Sequence, residues 1–212
     1  AHARPRLLLT DCDPRAVGGA APLLAAVQAL PPRVTLERLR HLVGAAAVDT
    51  EFDRYFGDVS PEEQPRDFAL RGPLLFALAE TERARQFPEA LEQADLARIG
   101  TLMRTGHDGD RIVDAQGRPY AAPETAGDLA AVPGAYGAST PVLDGMVDAA
   151  HRAGALGACL TGAGMGGAIV VACRASDVAR INRALVQQLD RAEAAADIMV
   201  NQAVAPAGHF GR

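Results

Sequence analysis

Leu36, Leu39, Leu42 and Val43 recur at helical spacing behind Thr35, a residue type that caps helices, so a helix is expected to start there. The same period runs through Val142, Met146, Val147 and Ala150, where Thr140-Pro141 opens a helix to about Ala153 and Gly154 ends it. Ser176 caps another through about Leu189, with Val178, Ile181, Leu185 and Leu189 inward. Gly18 to Leu30 is rich in Ala and Leu, stops at Pro31-Pro32 and reads as a helix. Phe68 to Phe87 is the longest helical candidate, with Pro73 in its first turn or kinking it. Pro88 then starts a further helix whose stripe is Leu91, Leu96, Ile99, Leu102 and Met103.

Strands show instead as short unbroken apolar runs bounded by turn residues. Arg6 to Thr10 is one, closed by Asp11-Cys12-Asp13-Pro14. Ala155 to Thr161, Ala168 to Cys173 and Ala196 to Ala203 are the others. Residues 49–65 read as a loop. Residues 108–138, rich in Gly, Pro, Ala and Asp, carry no recognisable element. A connection that long is either a functional flap or partly disordered. There is no internal repeat. The order of elements predicts an α+β fold, a small antiparallel sheet covered by helices.

Composition narrows the chemistry. The chain has 212 residues, enough to bury a sizeable core. Aromatics are 4% and Trp is absent, so Ala, Leu and Val must fill that core and helices must pack closely. All 21 basic residues are Arg. A phosphate-loop lysine, a Schiff base and a pyridoxal anchor are therefore excluded within this chain. The net charge of -5, with scattered basic residues, argues against a dedicated nucleic-acid surface. Cys12, Cys159 and Cys173 are too few for a disulfide framework and read as buried thiols, which fits a reducing, cytoplasmic setting. No run approaches membrane-spanning length and no apolar signal region precedes the first strand. The abrupt start at Ala1 is expected of a piece of something longer.

The sharpest feature is Thr161-Gly162-Ala163-Gly164-Met165-Gly166-Gly167. A dinucleotide fingerprint needs a helix after its glycines, and here Ala168-Ile169-Val170-Val171-Ala172 reads as a strand. A Walker loop needs Gly-Lys-Ser/Thr, which is absent. What remains is a glycine-rich connection between two strands. It is either an anion nest of bare N–H groups or a tight bulged hairpin with no ligand.

Residues Gly154 to Ala168 (GALGACLTGAGMGGA) resemble the third conserved motif of the GHMP kinases, close to the galactokinase form "GA-x-GA-x-x-TG-x-G-x-GG". Ser139-Thr140-Pro141-Val142-Leu143-Asp144 resembles the galactokinase "S-x-PELD" helix start. Ile99 to His107 resembles its "G-x-LM-x-x-SH" segment. Glu80 to Arg83 falls where that family has "E-x-x-R", one residue shorter in spacing, and Asp11 falls at the end of the strand that carries "DS" or "DC". The matches keep the family's chain order from about residue 6 to 203.

The resemblance implies a two-lobed kinase. The first lobe carries the ATP loop, P-x-x-x-GLGSSA, and any catalytic aspartate; the second is a ferredoxin-like α+β layer. Nothing here resembles that ATP loop, so residues 1–212 are expected to be the second lobe alone, with an insertion at about 108–138. The implied function is transfer of the ATP γ-phosphate, with Mg²⁺, to a hydroxyl of a sugar or polyol. The isolated chain would be inactive without a first lobe, supplied in cis or as a separate chain. The alternative is a non-catalytic regulator responsive to a sugar or nucleotide. Thr161, Gly162, Ala163, Gly164, Met165, Gly166 and Gly167 would border the phosphates, and Asp11, Tyr136 and Ser139 would face the substrate; no metal ligand is assigned. Galactokinases carry a Tyr and paired Arg in the helix after the first strand, where this chain has Ala20 to Ala26, which sets it apart from them. His107 is expected to hydrogen-bond structurally. Asp11 and Asp13 either ligate a cation or simply form a turn. His41, His151 and His209 have no ligand spacing, and the Arg-rich stretch 82–85 reads as a solvated helix face.

Overall fold

The computed structural model describes residues 14–121 and 128–201. The expected strand Arg6 to Thr10, with Asp11, Cys12 and Asp13, lies outside them. Helix α1 (Ala20–Gln28) follows, then β1 (Arg33–Thr35), α2 (Leu36–Val43) and α3 (Ala45–Phe56). Next come β2 (Asp67–Ala69), α4 (Arg71–Glu92) and α5 (Leu96–Asp110). After a long connection the chain forms α6 (Pro141–Arg152), β3 (Gly157–Thr161), β4 (Ala168–Ala172) and α7 (Val178–Arg191). The mixture of helices and small antiparallel sheets is an α+β fold, as the apolar pattern predicts.

Several helices start where their caps are. The Thr35 hydroxyl accepts from Arg38 N–H, Thr140 from Leu143 N–H, and the Asp95 carboxylate from Arg98 N–H. Four expectations fail, the first being the Ser176 cap of α7, which makes no capping hydrogen bond because a 3-10 turn, Ala175–Asp177, precedes the helix. Residues 49–56, expected as loop, are the greater part of helix α3, because Phe52 and Phe56 pack against each other and edge-on or tilted against Phe68 of β2, giving that stretch a partner the local pattern hides. Pro88 does not start a helix: α4 runs through it to Glu92 and the new helix begins after Asp95, where the cap is. The stretch 192–201 is irregular rather than a strand, and residues 202 and 203 lie outside the described part.

The β3–β4 hairpin pairs Gly157 with Ala172 and Thr161 with Ala168. Ala158, Leu160, Ile169 and Val171 pack with Leu143, Met146, Val147, Ile181 and Leu185 of α6 and α7. Cys159 and Ala172 pack with Ile99, Leu102 and Met103 of α5. Alternation along the strands therefore places α5 on one face of the hairpin and α6 with α7 on the other. A third cluster joins Leu23, Leu24 and Val27 of α1 to Leu78 and Ala79 of α4, and to Leu129 and Val132 of the long connection. Among the described residues, no helix is long and apolar enough to cross a membrane.

Candidate functional site

The hairpin turn Gly162 to Gly167 is held at one point. Met165 N–H donates to the Ala138 carbonyl at 2.8 Å, and Gly164, at φ +82°, lies against that same carbonyl so closely that a Cβ there would collide with it. Met165 itself takes φ +56° and leaves its side chain 88% exposed. Gly162 and Gly166 also take positive φ. The N–H groups of Gly162, Ala163, Gly164, Gly166 and Gly167 make no hydrogen bond among the described residues. Gly164, Met165 and Gly166 are thus three consecutive residues at positive φ, with Ala163 between them and Gly162.

Beneath the turn, a buried pair fixes the elements that carry it. His107 of α5 accepts from Leu160 N–H at Nδ1, which places its proton on Nε2. Nε2 lies 3.2 Å from Asp144 Oδ1 of α6, bent away from a straight hydrogen bond; both side chains are only 1% exposed. Asp144 Oδ2 accepts from the N–H groups of Ile112 and Val113. Burial would raise the Asp144 carboxyl, but the adjacent His107 imidazole and Ser139 hydroxyl, with the hydrogen bonds from those two N–H groups, outweigh it and hold it below the usual range. One acid thus ties α5, α6 and the start of the long connection together. His107 has the structural role expected of it, whereas sequence reading gave Asp144 no role. Its signal was its spacing: it sits three residues before Val147, on the apolar side of α6.

Arg83 corrects the reading of residues 82–85 as a solvated face. It is 2% exposed, on the stripe that runs from Ala79 to Ala90. Its guanidinium binds Glu80 at 2.7 Å and the carbonyls of Ala130 and Val132. That clamp orders much of the connection expected to be a flap or disordered. Val113 and Pro119 form a bridge, and Ala130, Val132 and Ala138 are buried. Beside it, burial pushes Asp110 up to about 6, with the charge of Glu80 adding to the effect. Burial, then Glu80 and Asp110, push the Cys159 thiol up to about 11, so it is neutral and unreactive near pH 7. Cys159 and Cys173 are free and partly buried.

The structure brings Ser139 and Tyr136 to the segment that supports the turn. Ser139 is buried, its N–H on the Asp110 carbonyl at 2.9 Å. Tyr136 stacks on Phe76 with centroids 5.2 Å apart and borders an open cleft of about 250 Å³ with Tyr120 and Arg111. Asp11, the remaining substrate-side candidate, lies outside the described residues. Among those described, no three His, Cys, Asp or Glu side chains gather as a metal site.

A glycine-turned hairpin set between helices, with a buried His–Asp pair tying those helices together, defines the α+β domain. The model of the family described as GHMP kinases C terminal matches residues 87–202, and the chain belongs to that family. That span runs from the last turn and a half of α4 through α5, the long connection, the glycine hairpin and α7. No curated protein matches the chain.

Proposed function

We propose that residues 1–212 form the C-terminal lobe of an ATP-dependent small-molecule kinase, which transfers the γ-phosphate to a hydroxyl of a sugar or polyol. The observation that carries this reading is the row of free N–H groups on the Thr161–Gly167 turn of a GHMP kinase domain. Such a reaction needs little covalent chemistry from the protein; it needs positioning and stabilisation of negative charge. Backbone donors supply that without a lysine. In this reading ATP and Mg²⁺ are held chiefly by a first lobe, which joins this one in cis or as a separate chain. The turn meets the transferring phosphoryl group. Tyr136 and Ser139, with Asp11, lie on the substrate side, and the cytoplasm supplies the nucleotide.

The test is ADP release by a two-lobed protein, this chain together with a first lobe that carries a GLGSSA-type loop, across a panel of sugars and polyols. Release that depends on one of them is the expected outcome. Saturable binding of a sugar and nucleotide without ADP release would favour a ligand-responsive regulator instead.

A further inference from the structure

Helix α7 presents a second face that the hairpin does not use. Its buried side carries Ile181, Leu185 and Leu189. Arg180, Arg183, Gln187 and Arg191 follow one another at spacings of three, four and four, which is one stripe of a helix. Arg152, in the last turn of α6, lies across from them. The stripe and Arg152 line a groove of about 360 Å³ between the two helices, and its floor is Ala149, Ala153 and Ala184. Small residues on the floor and long ones on the rim make the surface concave. The groove shares no lining residue with the glycine turn or the Tyr136 cleft.

The charges in it are unbalanced. Many arginines elsewhere sit on carboxylates, among them Arg33 on Asp67, Arg40 on Asp49, Arg111 on Asp148 and Arg118 on Asp114, and those that do not, such as Arg38 and Arg174, do not line the groove; here four arginines surround one concavity. In the groove only Arg180 has such a partner, Asp177. Arg152, Arg183 and Arg191 have none among the described residues. Like charges around one concavity repel, and an anion relieves that cost. We propose that this groove binds a small multivalent phosphate, a polyphosphate or a phosphate ester, at a site separate from the glycine turn. Guanidinium forks match phosphate oxygens two at a time. The stripe from Arg180 to Arg191 spans about 16 Å at 1.5 Å per residue, enough for two or three linked phosphates. The volume suits a ligand of nucleotide size. An extended nucleic-acid backbone fits less well, because the chain carries a net charge of -5.

Calorimetry of the 212-residue chain against pyrophosphate, tripolyphosphate and ATP tests this. Saturable binding of tripolyphosphate with Kd below about 1 mM is expected at low salt. The double variant Arg152→Gln, Arg183→Gln should weaken it by at least about tenfold, since each loses charge-assisted hydrogen bonds. Arg38→Gln on α2, which does not line the groove, should leave it unchanged. Tighter binding of ATP than of tripolyphosphate would assign the groove to nucleotides, and the reverse to free polyphosphate. Circular dichroism checks that the variants fold; if the double variant does not, Arg183→Gln and Arg191→Gln singly carry the same comparison. Absence of saturation, affinity indifferent to these arginines, or binding only to duplex oligonucleotide or anionic vesicles overturns the proposal. None of these outcomes depends on whether the chain takes part in phosphoryl transfer.

Discussion

Gly164 is the residue on which the turn depends. Its positive φ costs a non-glycine residue about 1–2 kcal/mol, and its contact with the Ala138 carbonyl leaves no room for a Cβ. Gly164→Val should therefore push the turn off residue 138, drop kcat of the two-lobed protein by on the order of a hundredfold and lower the melting temperature of the lobe by about 2–8 °C. Near-normal kcat would leave the turn as a bulged hairpin with no role in transfer. Two acids make opposite predictions about pH. Asp144 is held low in the folded protein, so its contribution is complete above the ordinary carboxylate value of about 4 and is lost as pH falls below it. Asp110 is raised to about 6, so the folded state keeps a proton that the unfolded chain has released, and stability falls as pH rises from about 4 to 6. Urea midpoints from pH 3 to 7 separate them. Asp110→Asn should flatten the fall between 4 and 6 and raise stability at pH 7 by up to about 1 kcal/mol, once solvent screening is allowed for. Asp144→Asn should lower it by on the order of 2 kcal/mol at pH 7 and remove the loss below pH 4. Unchanged profiles in either variant would refute the assignment.

At the scale of elements, α5 and the hairpin approach as closely as backbones allow. A Cβ on Gly100 would overlap the Leu156 carbonyl, and one on Gly157 would meet the Met103 sulfur. Met103 and Ile99 close the rest of that interface. Gly100→Ala must separate helix from strand or bend one of them, which costs about 1–3 kcal/mol or more. Thermal melting measures it; a change smaller than about 0.5 kcal/mol would mean that the helix seats elsewhere. The helices α5 and α6, β3 and β4 were legible because each buries a regular apolar stripe or run within its own residues. Helix α3 was not, because its partners Phe56 and Phe68 are 12 residues apart and meet only after the chain turns. The end of α4 was misjudged for a related reason: Pro88 permits a helix start, yet the neighbouring turns of α4 carry the helix past it until Asp95 offers a better cap.

The whole molecule sets which chemistry is within reach. The chain has no lysine, its hairpin supplies backbone donors and its Cys159 thiol is neutral, so in the proposed reading the ATP loop comes from a first lobe. The purified 212-residue chain is accordingly expected to show no ATP turnover with any sugar, measured by ADP release; turnover by it alone would overturn its place as a second lobe. The long connection belongs to this scale too. Its Gly- and Ala-rich sequence carries no periodic stripe, so it reads as a flap. Yet Arg83 of α4 grips its Ala130 and Val132 carbonyls, and Asp144 of α6 its Ile112 and Val113 amides. Those contacts join residues 31 to 49 apart in the chain, beyond any local pattern.

By itself the sequence determined the α+β class, the helix stripes, the glycine turn and the absence of lysine chemistry, because these depend on residue type and on spacings of two to four. Only the tertiary structure decided which polar groups are buried together. The Arg83 clamp, the His107–Asp144 pair, the contact of Gly164 with residue 138 and the arginine groove between α6 and α7 each arise where two distant elements meet. Their energies come from desolvation and close approach, quantities that exist only once the chain has folded.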